Sequence, residues 1–100
     1  MILSGKPVDA GEAYRIGLVN RVVDLPSLLS ASEELAERIV KNAPLALEYA
    51  INAVDQGLDA DLETGLHLEA TLFGNLAASD DWREGMDAFL TKRKASFKGR

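Results

Sequence analysis
Apolar and polar positions alternate along the chain in two different rhythms. Up to Pro26 the segments are short. Ile2-Leu3 before Ser4-Gly5-Lys6-Pro7 predicts the end of a short strand entering a turn. Asp9-Ala10-Gly11-Glu12 has the spacing of a capping box, and it predicts a short helix over about 10–16. Gly17 suits the left-handed position after that helix, with Leu18 as the apolar contact beyond it. The β-branched run Leu18-Val19-Asn20-Arg21-Val22-Val23 predicts a second strand-like segment, closed by Pro26.

From Ser27 the period becomes helical. Leu28, Leu35 and Ile39, with Leu29, Ala36 and Val40 beside them, share one face. Asn42 and Pro44 break that helix, and Pro44 fits the first position of the next. Leu47, Ile51, Val54 and Leu58 form a second stripe, with Gly57 as its expected C-cap. Asp61 opens a third long helix with Leu62, Leu66, Leu72, Phe73 and Leu76 apolar. Ser79 or Asp80 caps a last helix whose apolar face is Trp82, Met86, Phe89 and Leu90. The expected fold is mainly α: three to four amphipathic helices, one short helix and one or two strand-like pieces. Gly65, Gly74 and Gly85 fall inside helical patterns, where each costs roughly 1 kcal/mol against Ala; close helix approach would offset that cost.

Composition narrows the function classes. With 47% apolar and 27% charged residues the chain reads as an ordinary globular one. No apolar run approaches a membrane span, and no secretory leader pattern opens it. The absence of cysteine excludes a disulfide framework, a thiolate zinc site and a Cys nucleophile, and it fits a cytoplasmic location, or the mitochondrial matrix in a eukaryote. A net charge of −5 argues against nucleic-acid binding. That average conceals an asymmetry: Lys92, Arg93, Lys94, Lys98 and Arg100 supply five of the eleven cations. Residues 1–91 carry the other six and all sixteen acidic residues.

Few residues carry chemistry by themselves. His67 is the only histidine and has no second ligand at metal spacing, so it reads as a surface or interface side chain. Glu63, Glu69, Asp80, Asp81 and Glu84 read as solvated or capping carboxylates, because acid–base work would need burial. No nucleophile elbow and no glycine-rich phosphate loop is present. The basic tail is left with two readings, a solvated helix end or an anion site, and Phe97 within it with two more, tail packing or a stacking platform.

The order of short blocks is more specific than any one of them. Ser4-Gly5-Lys6-Pro7-Val8-Asp9-Ala10-Gly11-Glu12-Ala13 precedes Ile16-Gly17-Leu18-Val19-Asn20-Arg21-Val22-Val23. Asn42-Ala43-Pro44-Leu45-Ala46 and Leu68-Glu69 follow. Ser79-Asp80-Asp81, Arg83-Glu84-Gly85-Met86, Ala88-Phe89, Lys92-Arg93-Lys94 and Phe97 complete the series. In this order the chain resembles the enoyl-CoA hydratase/isomerase (crotonase) family across essentially all of its length.

The resemblance maps onto the C-terminal third or so of a family member, so it implies a fragment, a truncated product or an isolated C-terminal region, with Met1 as an internal methionine. It implies that residues 1–26 end the α/β spiral core and that residues 27–100 form a helical oligomerisation region. It further implies an acyl-CoA substrate, with coenzyme A arriving as part of that substrate and no separate cofactor. The oxyanion-hole amides and catalytic glutamates of the family lie upstream of Ser4, so no catalytic residue is assigned and the chain alone is expected to be inactive. Two positions carry over as CoA-binding residues: Phe73, near the CoA moiety, and Lys92, approaching the CoA phosphates. Self-association as a trimer or hexamer is the implied assembly. The rival expectation is a non-enzymatic, self-associating helical module.

Overall fold
The computed structural model describes residues 2–100; the expectation for Met1 lies outside the described residues. Five helices occur among them: α1 (Ala10–Arg15), α2 (Leu28–Val40), α3 (Pro44–Leu58), α4 (Leu62–Leu76) and α5 (Asp80–Leu90), with a 3-10 turn over Leu25–Ser27 leading into α2. The chain divides into two compact units, Met1–Leu35 and Ala36–Arg100.

In the first unit, Asp9 caps α1 by accepting from the Glu12 N–H at 2.8 Å. The helix ends in a Schellman turn: Gly17 adopts φ 75°, its N–H reaches Tyr14 O, and the Leu18 N–H reaches Ala13 O. Glu12 and Arg15 pair on the surface of α1, which holds the Glu12 carboxyl below its ordinary pKa. Arg21 reaches Glu34 at 3.2 Å. The strand-like expectations are not met: Ile2 and Leu3 lie in a turn, and residues 18–23 form irregular chain with no strand partner among the described residues. A β-branched run supplies propensity, but a strand forms only against a neighbour that completes its hydrogen bonds.

In the second unit, α3 and α4 form the main helix pair, an antiparallel hairpin joined by a short loop. Asp61 caps α4 through the Thr64 N–H, and Pro44 begins α3. Gly57 is not the C-cap of α3, which runs to Leu58. It sits inside the helix against Gly65 of α4, where a Cβ on Gly65 would lie 3.4 Å from the Gly57 Cα. Two glycines facing each other let the backbones approach closely. The apolar stripes are mostly open: Leu58, Leu62 and Phe89 are each about four-fifths exposed, and Ala88 is the only buried apolar residue of the unit among those described.

Candidate functional site
The site is built on α5 and the ten residues that follow it. Ser79 is the N-cap, its hydroxyl accepting from the Trp82 N–H at 3.1 Å while donating to Leu76 O. At the other end, Lys92 occupies the left-handed position after the helix, with φ 54°; it is the only non-glycine residue with positive φ among those described. The Arg93 N–H returns to Ala88 O and the Lys92 N–H to Phe89 O. This is the same Schellman turn that ends α1, with a lysine where α1 uses glycine.

Beyond this cap the chain folds back along α5 rather than fraying. Arg93 grips Glu84 with two N–H groups at 2.6 and 2.8 Å and donates to Asp87 at 2.6 Å. The Ser96 N–H donates to Glu84 at 2.7 Å. Asp81 accepts from the Lys98 and Gly99 amides at 2.6 and 2.7 Å, while its own N–H donates to Arg100 O. Asp81 is therefore buried, not the solvated carboxylate that the acidic run suggested. The sequence signal for this is weak, because the Asp81 contacts span 17 to 19 residues and no helical period reports them. The hydrogen bonds from Arg93, and then that from Ser96, hold the Glu84 carboxyl down at about pKa 2, and the Arg93 guanidinium is raised by its bonds to Glu84 and then Asp87.

The returning tail lays Phe97 over Gly85, where a Cβ would meet its ring at 3.5 Å. Phe97 thereby lines an apolar groove of about 360 Å³ with Leu45, Leu76, Trp82 and Met86. Phe73 lines the same groove and meets Trp82 edge to face, with ring centroids 5.2 Å apart and planes at 90°. Phe97 thus packs, and it adopts the packing reading of the two. Phe73 nevertheless remains more than half exposed. Lys92 is exposed, carries no ion pair among the described residues and does not line the groove. The structure thus places the two expected CoA-binding residues on one unit but not in one pocket. Of the other tail cations, Arg93 is neutralised by Glu84 and Asp87, and Arg100 lies 3.8 Å from Asp80.

His67 is exposed beside Glu63, Leu62 and Leu66 in a shallow hollow of α4. Among the described residues no group of three His, Asp or Glu is placed to hold a metal ion. Among the same residues no helix is long and apolar enough to cross a membrane.

Comparison with known proteins bears on the whole chain. The enoyl-CoA hydratase/isomerase family model matches residues 1–100. The short-chain-enoyl-CoA hydratase of Clostridium acetobutylicum is 39% identical over 101 residues, covering all of this chain and 39% of that protein. The 2,3-dehydroadipyl-CoA hydratase of Escherichia coli is 41% identical, again over the whole chain and 39% of its own length. The crystal structure of the enoyl-CoA hydratase from Bacillus anthracis superimposes with a TM-score of 0.95 at 36% identity, covering 99% of this chain and 38% of that one. The chain therefore spans about two fifths of the length of these relatives. Its blocks in order, its helices and its end-to-end match agree: the chain belongs to the enoyl-CoA hydratase/isomerase family.

Proposed function
We propose that these residues are the C-terminal helical part of a hydratase/isomerase-type enzyme that adds water to 2-enoyl-CoA thioesters. In this reading residues 1–26 complete the spiral core. Residues 27–100 supply the contacts of a homotrimer, or of two stacked trimers, and part of the rim that holds CoA. The observation that carries the reading is the match of the whole chain to hydratases at 39–41% identity. Two features of the second unit support its finer parts. Ile51, Val54, Leu58, Phe89 and Leu90 are each well over half exposed, which suits burial against other subunits. Lys92 offers an unpaired ammonium for phosphate, and Phe73 a partly exposed ring for the nucleotide base.

The chemistry of such an enzyme is general acid–base addition to a thioester whose carbonyl is polarised by two N–H donors. No residue of this chain is assigned those roles, so the 100 residues alone are proposed to be inactive; CoA comes with the substrate, and no other cofactor enters. The proposed location is the cytoplasm, or the mitochondrial matrix in a eukaryote. The test follows loss of the conjugated-thioester absorbance of crotonyl-CoA. The natural full-length form should turn over and the 100-residue chain should not; turnover by the chain alone, or none by the full-length form, refutes the reading. Sedimentation of the chain alone tests the contact surface: self-association is expected, and a stable monomer would contradict it.

A further inference from the structure
Lys92 is the one residue described that holds a left-handed conformation without being glycine, although Gly17 shows that glycine fills the same turn elsewhere in this chain. A lysine kept at a strained position points to work done by its side chain. The surroundings of that turn are unusually fixed. Glu84 sits at the centre: it takes both prongs of Arg93 and the Ser96 N–H, so it ties down the residue after Lys92 and the chain four residues on. It also neutralises Arg93, with help from Asp87, so Arg93 does not compete for an anion. Among the described residues Lys94 and Lys98 likewise form no ion pair, but they lie on the returning tail; of the three, only Lys92 is set on a backbone closed by helix-end hydrogen bonds.

We propose that Glu84 is a positioning residue for Lys92, holding the left-handed cap in one conformation so that the Lys92 ammonium is pre-set for the phosphates of an acyl-CoA. The proposal rests on the reading of Lys92 as a CoA contact given above. Glu84 touches no substrate itself. Its carboxylate is consumed by Arg93 and the Ser96 amide, and its effect passes through the backbone between Thr91 and Ser96. Ordering that segment before binding removes part of the entropy lost when CoA fixes the lysine.

The test is a double-mutant cycle in the full-length enzyme, reading KM for crotonyl-CoA against kcat. Lys92→Ala should raise KM about tenfold with little change in kcat, as expected for loss of one charge-assisted contact to phosphate. Glu84→Gln should raise KM about threefold, also at constant kcat, and should add nothing in the Lys92→Ala background. Arg93→Lys, which keeps the charge but loses the two-pronged grip, should behave as Glu84→Gln does. An effect of Glu84→Gln that persists undiminished in the Lys92→Ala background overturns the positioning role, as does no effect where Lys92→Ala has one. If Lys92→Ala leaves KM unchanged, the CoA reading of Lys92 fails, and the positioning proposal falls with it. The backbone part is read separately, without CoA: the Lys92 Cα chemical shift should move from its left-handed value toward random coil in Glu84→Gln. An unmoved shift refutes the lock whatever the kinetics show.

Discussion
Glu84 and Arg93, nine residues apart, meet in a two-pronged ion pair at 2.6 and 2.8 Å that ties the tail to the helix it leaves. The pair gives acid stability a definite sign. Glu84 titrates at about 2 in the folded chain, against 4.5 for the unperturbed group. A depressed carboxyl stabilises the fold fully above its unfolded value and loses that contribution as pH falls from about 4.5 through 2. Glu12, held by Arg15, and Asp61, held by Thr64, shift the same way. Thermal unfolding followed by circular dichroism should therefore show a falling midpoint on acidification below pH 4.5, and Glu84→Gln should flatten that limb. An unchanged acid limb in the variant would remove Glu84 as its source.

Asp81 carries the other end of the tail. Its two oxygens satisfy the Lys98 and Gly99 amides from a buried position. Asp81→Ala leaves both amides without their partner, at a cost of about 2 kcal/mol. The expected signature is local before it is global. The amides of Lys98 and Gly99 should exchange quickly, and Trp82 fluorescence should change as Phe97 leaves the groove that the two rings share. Protected amides in the variant would mean that the Glu84 contacts and the packing of Phe97 hold the tail without Asp81.

What could be read in advance divides along physical lines. The helix starts were legible because Asp9, Asp61 and Ser79 act within three residues of themselves, through a hydrogen bond that the sequence spells out. The family was legible because short blocks recur in order. The strand-like segment over 18–23 failed because a strand depends on a partner, and none is present among the described residues. The role of Gly57 is not legible in its own segment because its partner, Gly65, lies on another helix. The burial of Asp81 and the return of the tail are hidden for the same cause: they rest on contacts 9 to 19 residues apart, beyond any helical period. Phe73 and Lys92 came from the resemblance, and the structure adds their exposure and the strain beneath Lys92.

Gly65 and Gly74, both inside α4, differ in what surrounds them. Gly65 faces the Gly57 backbone at a distance that a methyl group fills and a longer side chain does not, whereas nothing lies within 4 Å of a Cβ on Gly74. Gly74→Ala should stabilise the chain by about 1 kcal/mol through helix propensity alone. Gly65→Leu should destabilise it by about 2 kcal/mol by forcing α3 from α4. Urea titration of both variants checks the pair. Equal effects would show that the Gly57–Gly65 contact does not constrain the hairpin.

The two Schellman turns make a matched test of backbone strain. Gly17 at φ 75° and Lys92 at φ 54° stand at the same position after their helices, and each turn closes with the same two hydrogen bonds. A side chain in that conformation costs about 1 kcal/mol relative to glycine. Gly17→Ala should therefore lower stability by about that amount, with no steric term, since no atom lies within 4 Å of the added Cβ. Lys92→Gly should raise stability by a similar amount, because the Lys92 side chain forms no ion pair whose loss would offset the relief. Denaturant unfolding measures both. The two substitutions should move the midpoint in opposite directions, and a destabilised Lys92→Gly would show that the lysine side chain supports the fold rather than being carried at its expense.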